Sequence, residues 1–304
     1  MNPTTEPRVS VVVPAYRAER TLDRCVASLL ANGYAGGFEV IVVASADTID
    51  GLPSPFADAR VTLVAVVPRL GAAAARNRGA ALARGELLVF TDADVEVGPG
   101  WLDALVLASA GGERAVAGSV VNGTPDSGPG TVEYLVEFLD LHPRRPARTA
   151  WHGATCNLLV PASLWRSTGP FPEDMEGGED TLLTGRWRAM GRFAFAPEAS
   201  VVHHNRTTLR SVVEHQAMFG RFTAHLGRRG PYKLRPLVRY TPLAPVAAAG
   251  RLVSIYARVF AWAPELRGRA LRLLPSVVVT LAAWGAALAA EGARIDVRTL
   301  RARR

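Results

Sequence analysis

Two cysteines, Cys25 and Cys156, are all that the 304 residues contain, so no disulfide framework holds this chain together. None is needed, because a chain of this length buries about three-quarters of its unfolded surface. No glycine-rich loop closes in Lys-Ser or Lys-Thr, and no Gly-x-Gly-x-x-Gly follows the first apolar run. Two familiar nucleotide-binding signatures are therefore absent. Internal repeats are absent too, and so is any low-complexity tract beyond a general enrichment in alanine. Lysine is almost missing: Lys233 stands alone beside 34 arginines, the codon preference of a GC-rich genome. With 20% charged and 49% apolar residues, the chain is not a disordered one. Met1 to Arg8 is polar and leads straight into a strand pattern, so no signal peptide is expected and the body should stay in the cytoplasm.

The net charge of +8 hides a split. Over residues 227–304 the basic residues outnumber Glu265, Glu291 and Asp296 by 12, whereas residues 1–226 carry a small acidic excess. A uniformly basic chain would suggest nucleic acid. Here the basic residues alternate with long apolar runs, which fits an anionic membrane surface and not nucleic acid.

What is present begins with Val9-Ser10-Val11-Val12-Val13-Pro14, a β-branched run closed by proline that predicts a buried first strand. Leu22, Val26, Leu29 and Leu30 make one helix face, with Asn32-Gly33 as its stop. Strands follow at Phe38–Val43, Val61–Val67 and Leu87–Phe90, with an alanine-rich helix from Gly71 to Arg84 that Gly85 would cap. This alternation predicts βαβ units in an open, mainly parallel sheet flanked by helices. Ligands of such sheets sit beyond the C-terminal strand ends, where Pro14 to Tyr16, Ser45 to Asp50 and Asp92 to Asp94 fall. Farther on, helices are expected at Thr131–Leu141, after Gly177, and from Thr207, as N-cap, to Leu226. A basic stretch, His142 to Arg148, lies between. The composition changes after Gly230-Pro231.

Asp92-Ala93-Asp94 follows a buried strand, and two carboxylates two apart on such a turn suit a hard divalent cation and a ribose hydroxyl. Gly71 to Gly79 enters a helix about 15 residues earlier, where Arg76 could face phosphates. Glu179-Asp180 opens a helix, and His203-His204 ends an apolar pair, so one ring should point inward.

Together Val11-Val12-Val13-Pro14-Ala15-Tyr16 with Glu19, Arg76-Asn77-x-Gly79, Asp92-x-Asp94, Gly178-Glu179-Asp180, His203, Gln216 and Phe219-Gly220 resemble the family-2 glycosyltransferases, inverting enzymes of the GT-A fold. The resemblance covers roughly residues 8–226. It implies that Pro14, Ala15 and Tyr16 line the nucleotide pocket, with Glu19 and Arg76 beside them. Asp92 would contact ribose or metal, Asp94 would ligate Mn²⁺ or Mg²⁺, and His203, or else His204, would complete the shell. Asp180, after Glu179, would be the general base. The donor would be a nucleotide-diphosphate sugar, UDP-linked first among the candidates, and the acceptor a lipid-linked or cell-envelope glycan. Three positions depart from the family pattern. Ala44-Ser45-Ala46 replaces an acidic pair, leaving Asp47 or Asp50 to read the base. Leu182 replaces a second Asp, and Arg69 stands for the usual Asn or His. The rivals are a non-catalytic nucleotide-sugar binding protein on a membrane and a nucleotidyltransferase of similar fold.

The expected organisation is a catalytic domain over residues 1–230 and a basic, apolar helical region over 231–304. Leu273 to Ala290 is 18 residues without a charge, about 27 Å as a helix against a hydrocarbon core near 30 Å. Leu237 to Ala263 is mostly apolar, interrupted by Arg239, Arg251 and Arg258. The last two are seven apart on one helix face, as an interfacial amphipathic helix would have them. Attachment to the cytoplasmic face of the cell membrane is the expectation.

Overall fold

A computed structural model describes residues 8–109, 114–147, 151–175, 177–229 and 241–301. The boundary at Gly230-Pro231, Arg148, Arg239 and the terminal Arg303 and Arg304 lie outside them. The chain forms two compact units, Met1–Val121 with Pro146–His203, and Asn122–Arg145 with His204–Arg304.

The first unit is an eight-stranded sheet. Its strands are β1 (Val9–Ala15), β2 (Phe38–Ser45), β3 (Val61–Val66), β4 (Leu87–Thr91), β5 (Val95–Val97), β6 (Ala115–Asn122), β7 (Asn157–Pro161) and β8 (Phe193–His203). They lie in the order β3-β2-β1-β4-β7-β6-β8-β5. Strands β3, β2, β1 and β4 are parallel, and β2 and β4 are buried along their whole length, as strands covered on both faces must be. Helices α1 (Leu22–Leu30) and α2 (Ala72–Leu82) make the crossovers that parallel pairing requires. Past β4 the pairing reverses: β7 runs antiparallel to β4 and β6, and β5 to β8. The expected open sheet is present, parallel in one half and antiparallel in the other.

Helix α2 ends at Leu82 with Ala83 as its cap, short of the expected Arg84. Gly85 serves a different need, since a Cβ there would stand 2.7 Å from the backbone nitrogen of Ser10. Gly79 likewise lets α2 settle on the sheet, because a Cβ would meet Val12 Cγ1 at 2.4 Å. The unit is completed by α3 (Trp101–Ala108), α5 (Ala162–Thr168) and α6 (Glu179–Ala189), counting α4 in the second unit.

In the second unit α4 (Gly128–Glu133) starts ahead of the expected Thr131, because Ser127 Oγ caps the N–H of Gly130 at 3.0 Å. A π-helical turn (Tyr134–Phe138) and a 3₁₀ turn (Leu139–Leu141) continue it. Helix α7 (Leu209–Arg229) is capped by Thr208, which accepts the N–H of Ser211 at 3.3 Å. Of the pair Thr207-Thr208, only the second stands three residues before that donor, so the cap shifts by one. Helices α8 (Ala244–Trp262), α9 (Arg267–Arg272) and α10 (Leu274–Arg301) follow. Stretches Thr241–Trp262 and Leu274–Asp296 are long and apolar enough to cross a membrane by length and composition, and both are candidate membrane-associating segments.

Helices α8 and α10 form an antiparallel hairpin. A Cβ on Gly292 would meet Thr241 Oγ1 at 2.8 Å, one on Gly285 would meet Ala248 Cβ at 3.2 Å, and Tyr256 donates its hydroxyl to Ala270 O at 2.7 Å. Helix α7 lies on α10, where a Cβ on Gly220 would stand 2.2 Å from Trp284 O. Arg251 and Arg258 do share a face, and it points inward. Arg251 donates to Val136 O at 2.6 Å and covers the Trp284 ring, while Arg258 pairs with Asp140 at 3.3 Å.

Candidate active site

The parallel strand ends deliver the first group of side chains. Tyr16, past the end of β1, donates its hydroxyl to Asp47 at 2.9 Å, and Arg17 pairs with the same carboxylate at 3.1 Å. The Tyr16 hydroxyl, then Arg17, hold the Asp47 carboxyl below the usual range. The Arg69 guanidinium lies 4.2 Å from the Tyr16 ring centroid, so the residue that departs from the family pattern makes a cation–π stack. Beside this corner is a cavity of about 120 Å³ lined by Ala15, Glu19, Ala44, Ser45, Asp50 and neighbours. Asp50 and Glu19 line it. Asp47 stands outside the lining, and Pro14 precedes it on β1.

The second group forms where β4 ends. Arg76 on α2 is 5% exposed, and its two terminal nitrogens reach Asp92 at 2.6 Å and Glu179 at 2.9 Å. Glu179 lies 103 positions along the chain, brought there because Gly178, at φ +77°, turns the backbone into α6. Asp180 follows at the same helix start, its Oδ1 accepting the N–H of Thr181 at 2.5 Å. One guanidinium thus faces Asp92, Glu179 and, through space, Asp180. Burial first, and the neighbouring carboxylates second, push Glu179 upward. Burial also raises Asp180, against the pull of His152, the Thr181 N–H and Arg76. Carboxylates held upward in this way hold protons into a range useful for acid–base work.

The third group shares Asp92. Residue Val95 of β5 pairs with His203 of β8, and this register sets the imidazole beside the preceding Asp94. His203 Nε2 lies 3.5 Å from Asp94 Oδ1, and Asp92, Asp94 and His203 each offer a donor atom within 4.8 Å of the others. His203 is buried, Asp94 is open to solvent at 43%, and His204 is half-buried. Two carboxylate oxygens and an imidazole, with one carboxylate open to water, fit a Mn²⁺ or Mg²⁺ that keeps positions for phosphate oxygens. Cys25 underlies the group and donates its thiol to Asp92 O at 3.4 Å. Burial and the two aspartates push that thiol far up, so it stays protonated.

Sequence reasoning missed His152, which carries a charge interaction with Asp180 and packs edge-on against Trp151 with ring centroids 4.3 Å apart. A histidine in a loop gives no periodic signal. Asn77 belongs to the support and not the site: it exchanges hydrogen bonds with the backbone of Phe171 and reaches Glu173. Leu182 is buried.

Residues 10–161 match the family model described as glycosyl transferase family 2. The pre-mycofactocin glycosyltransferase of Mycobacterium tuberculosis is 32% identical over 239 residues, 76% of this chain and 50% of that protein. This chain therefore spans about half the length of that relative. UDP-Glc:alpha-D-GlcNAc-diphosphoundecaprenol beta-1,3-glucosyltransferase WfgD of Escherichia coli is 34% identical over 88 residues, 28% of this chain and 34% of that protein. Among solved structures, the mannosyltransferase PcManGT from Pyrobaculum calidifontis, in complex with GDP-Man and Mn²⁺, has a TM-score of 0.56 and 21% identity, covering 96% of this chain and 88% of that one.

Proposed function

This chain belongs to glycosyl transferase family 2, and from that premise we propose that it moves a sugar from a nucleotide-diphosphate donor to a hydroxyl of a lipid-linked or cell-envelope glycan, with inversion at the anomeric carbon. The observation that carries the reading is the joining of two groups through Asp92, the Arg76–Asp92–Glu179 cluster with Asp180 and the Asp92–Asp94–His203 triad, past the end of β4, with the Tyr16 corner past the end of the neighbouring β1.

In this reading Pro14, Ala15, Tyr16 and Glu19 seat the nucleoside, with Asp47 fixing the Tyr16 ring and Asp50 offering a carboxylate to the base. Arg76 holds Asp92 and Glu179 in place, and Asp92 turns its second oxygen to the ribose or the cation. A divalent ion held by Asp92, Asp94 and His203 would supply positive charge against the leaving diphosphate. Asp180 takes the acceptor proton as the acceptor oxygen bonds to the anomeric carbon and the nucleoside diphosphate departs from the opposite face. Late in that step the hydroxyl is acidic enough for a carboxylate to serve, more so for one raised by burial. Two of the proteins this chain is similar to take different nucleotides, UDP-Glc for WfgD and GDP-Man for PcManGT. UDP-sugars are the first donors to try. Residues 1–230 are assigned to catalysis, and 231–304 to attachment at the cytoplasmic face of the membrane.

Calorimetry with UDP-, GDP- and dTDP-sugars, with and without Mn²⁺, tests the donor site. Metal-dependent binding of one nucleotide class that Asp94→Ala abolishes is the expected result. Binding to none of them by folded protein would overturn the assignment.

A further inference from the structure

The α8–α10 hairpin carries an outer surface with no charge on it. On α8 the exposed positions include Val246 at 55%, Val253 at 69% and Phe260 at 47%, spaced seven apart and so on one face. Ala249, Gly250 and Ala257 are exposed between them. On α10 the exposed residues are Leu274, Val278 and Val279, followed by Ala282, Ala286 and Ala290. The two helices lie side by side, so these faces adjoin. Both arginines of α8 are turned into the unit, as described above, and this is why the face is bare. Such a continuous apolar face on a protein surface marks a docking site.

Three features decide how it docks. The hairpin turn carries Arg267, Arg269 and Arg272. Arg267 and Arg272 are exposed, with no acidic partner among the described residues, and Glu265 beside them is taken by His142 and Arg144. Arg267 sets its guanidinium 5.4 Å from the Phe260 ring centroid, the posture of a basic side chain at an apolar rim. Helix α7 packs along α10 and points Arg210, Glu214 and Arg221 to solvent. Arg221 follows Gly220, which touches the middle of α10 at Trp284. If α10 crossed a bilayer, Arg221 would lie near its midplane and the three arginines of the turn would have to pass through it, both costly.

We propose that the α8–α10 hairpin lies flat in one leaflet of an anionic membrane, its outer face in the acyl boundary and Arg267 and Arg272 among the headgroups, and that neither helix spans. Guanidiniums at the rim favour acidic lipid over a second copy of this chain, whose own turn would bring like charge. The proposal deepens the membrane attachment put forward above, and the test separates the two.

The full chain suits labelling because Cys25 and Cys156 are each 1% exposed. The variants Val246→Cys, Val253→Cys and Phe260→Cys, each carrying an environment-sensitive fluorophore, are bound to phosphatidylcholine vesicles containing a third phosphatidylglycerol. Quenching by nitroxides at graded acyl depths then reads the depth of each site. A flat helix gives equal shallow depths, although the outer two sites are about 21 Å apart along the axis. Val253 deeper than both neighbours would mean a span and overturn the flat arrangement while keeping the membrane. No quenching at any site, with the chain dimeric in buffer, would overturn both. As a second arm, Arg267→Gln and Arg272→Gln are each expected to weaken vesicle binding about fivefold. Unchanged binding would remove the headgroup contact.

Discussion

Each unit gathers two carboxylates and a histidine within 4.8 Å, Asp92, Asp94 and His203 in the first, Glu133, Glu137 and His215 in the second. The two triads differ in what already stands among them. In the second, Arg206 donates to both oxygens of the fully buried Glu133 and lies 2.9 Å from His215 Nδ1, and His215 sits 3.4 Å from Glu137. Two negative groups face two positive ones, so their charges balance. In the first, the Arg76 guanidinium is shared by Asp92 with Glu179 and Asp180. Asp94 keeps 43% of its side chain open to solvent, where a cation from outside can reach it. The same ligand types therefore make a clamp in one unit and, in the proposed reading, a cation site in the other, and what separates them is the Arg206 guanidinium among the ligands against an opening to solvent at Asp94.

The largest effect should come from the open side. Asp180→Asn is expected to lower sugar transfer about 10²–10⁴-fold while donor binding holds, measured by product formation beside calorimetry. The acid limb of the wild-type rate should lie above the ordinary aspartate range, because burial raises this carboxyl. On the balanced side, Glu133→Ala strands Arg206 and His215, and urea unfolding should show a loss of about 3–5 kcal/mol. A loss as small as that of a surface pair would mean the second triad is not closed. Saturating Mn²⁺ should next separate the triads, raising stability by about 2.7 kcal/mol at a hundredfold excess over its dissociation constant. Asp94→Ala should remove that gain and Glu137→Gln should keep it. The smallest effect is a pH dependence. Burial opposes it, but Glu137 and Glu133 lift His215 from 6.5 to about 9. Its contribution is complete below pH 6.5 and fades as the pH rises through about 9. His215→Gln should therefore cost stability at pH 6 and little at pH 10, and equal penalties would break the comparison.

The parallel half of the sheet was legible because each strand is a short apolar run closed by proline, glycine or acidic turn residues, and such runs need no partner to be recognised. The antiparallel half was not. Strand β5 has three residues, and β8 is broken by Pro197 and Glu198 in its middle, so neither shows a period. Arg76, Asp92 and Glu179 were each visible as motif residues, but nothing local says that a guanidinium on α2 ties one carboxylate to another 103 positions away. His203 could be picked out, yet its place beside Asp94 depends on the β5–β8 register, which only pairing fixes. The seven-residue spacing of Arg251 and Arg258 correctly gave a shared face. Periodicity carries no sense of direction, so it could not show that Val136 and Asp140 lay waiting on the inner side.

Those inward arginines have a practical consequence. Since Arg251 and Arg258 make their attachments on the hidden side, the outer side can be rewritten at Val246 and Val253 without touching them. Val246→Lys with Val253→Lys is then expected to make the chain more soluble. In a chain with a single natural lysine, the two new amines would also serve as handles for fixing it to a support.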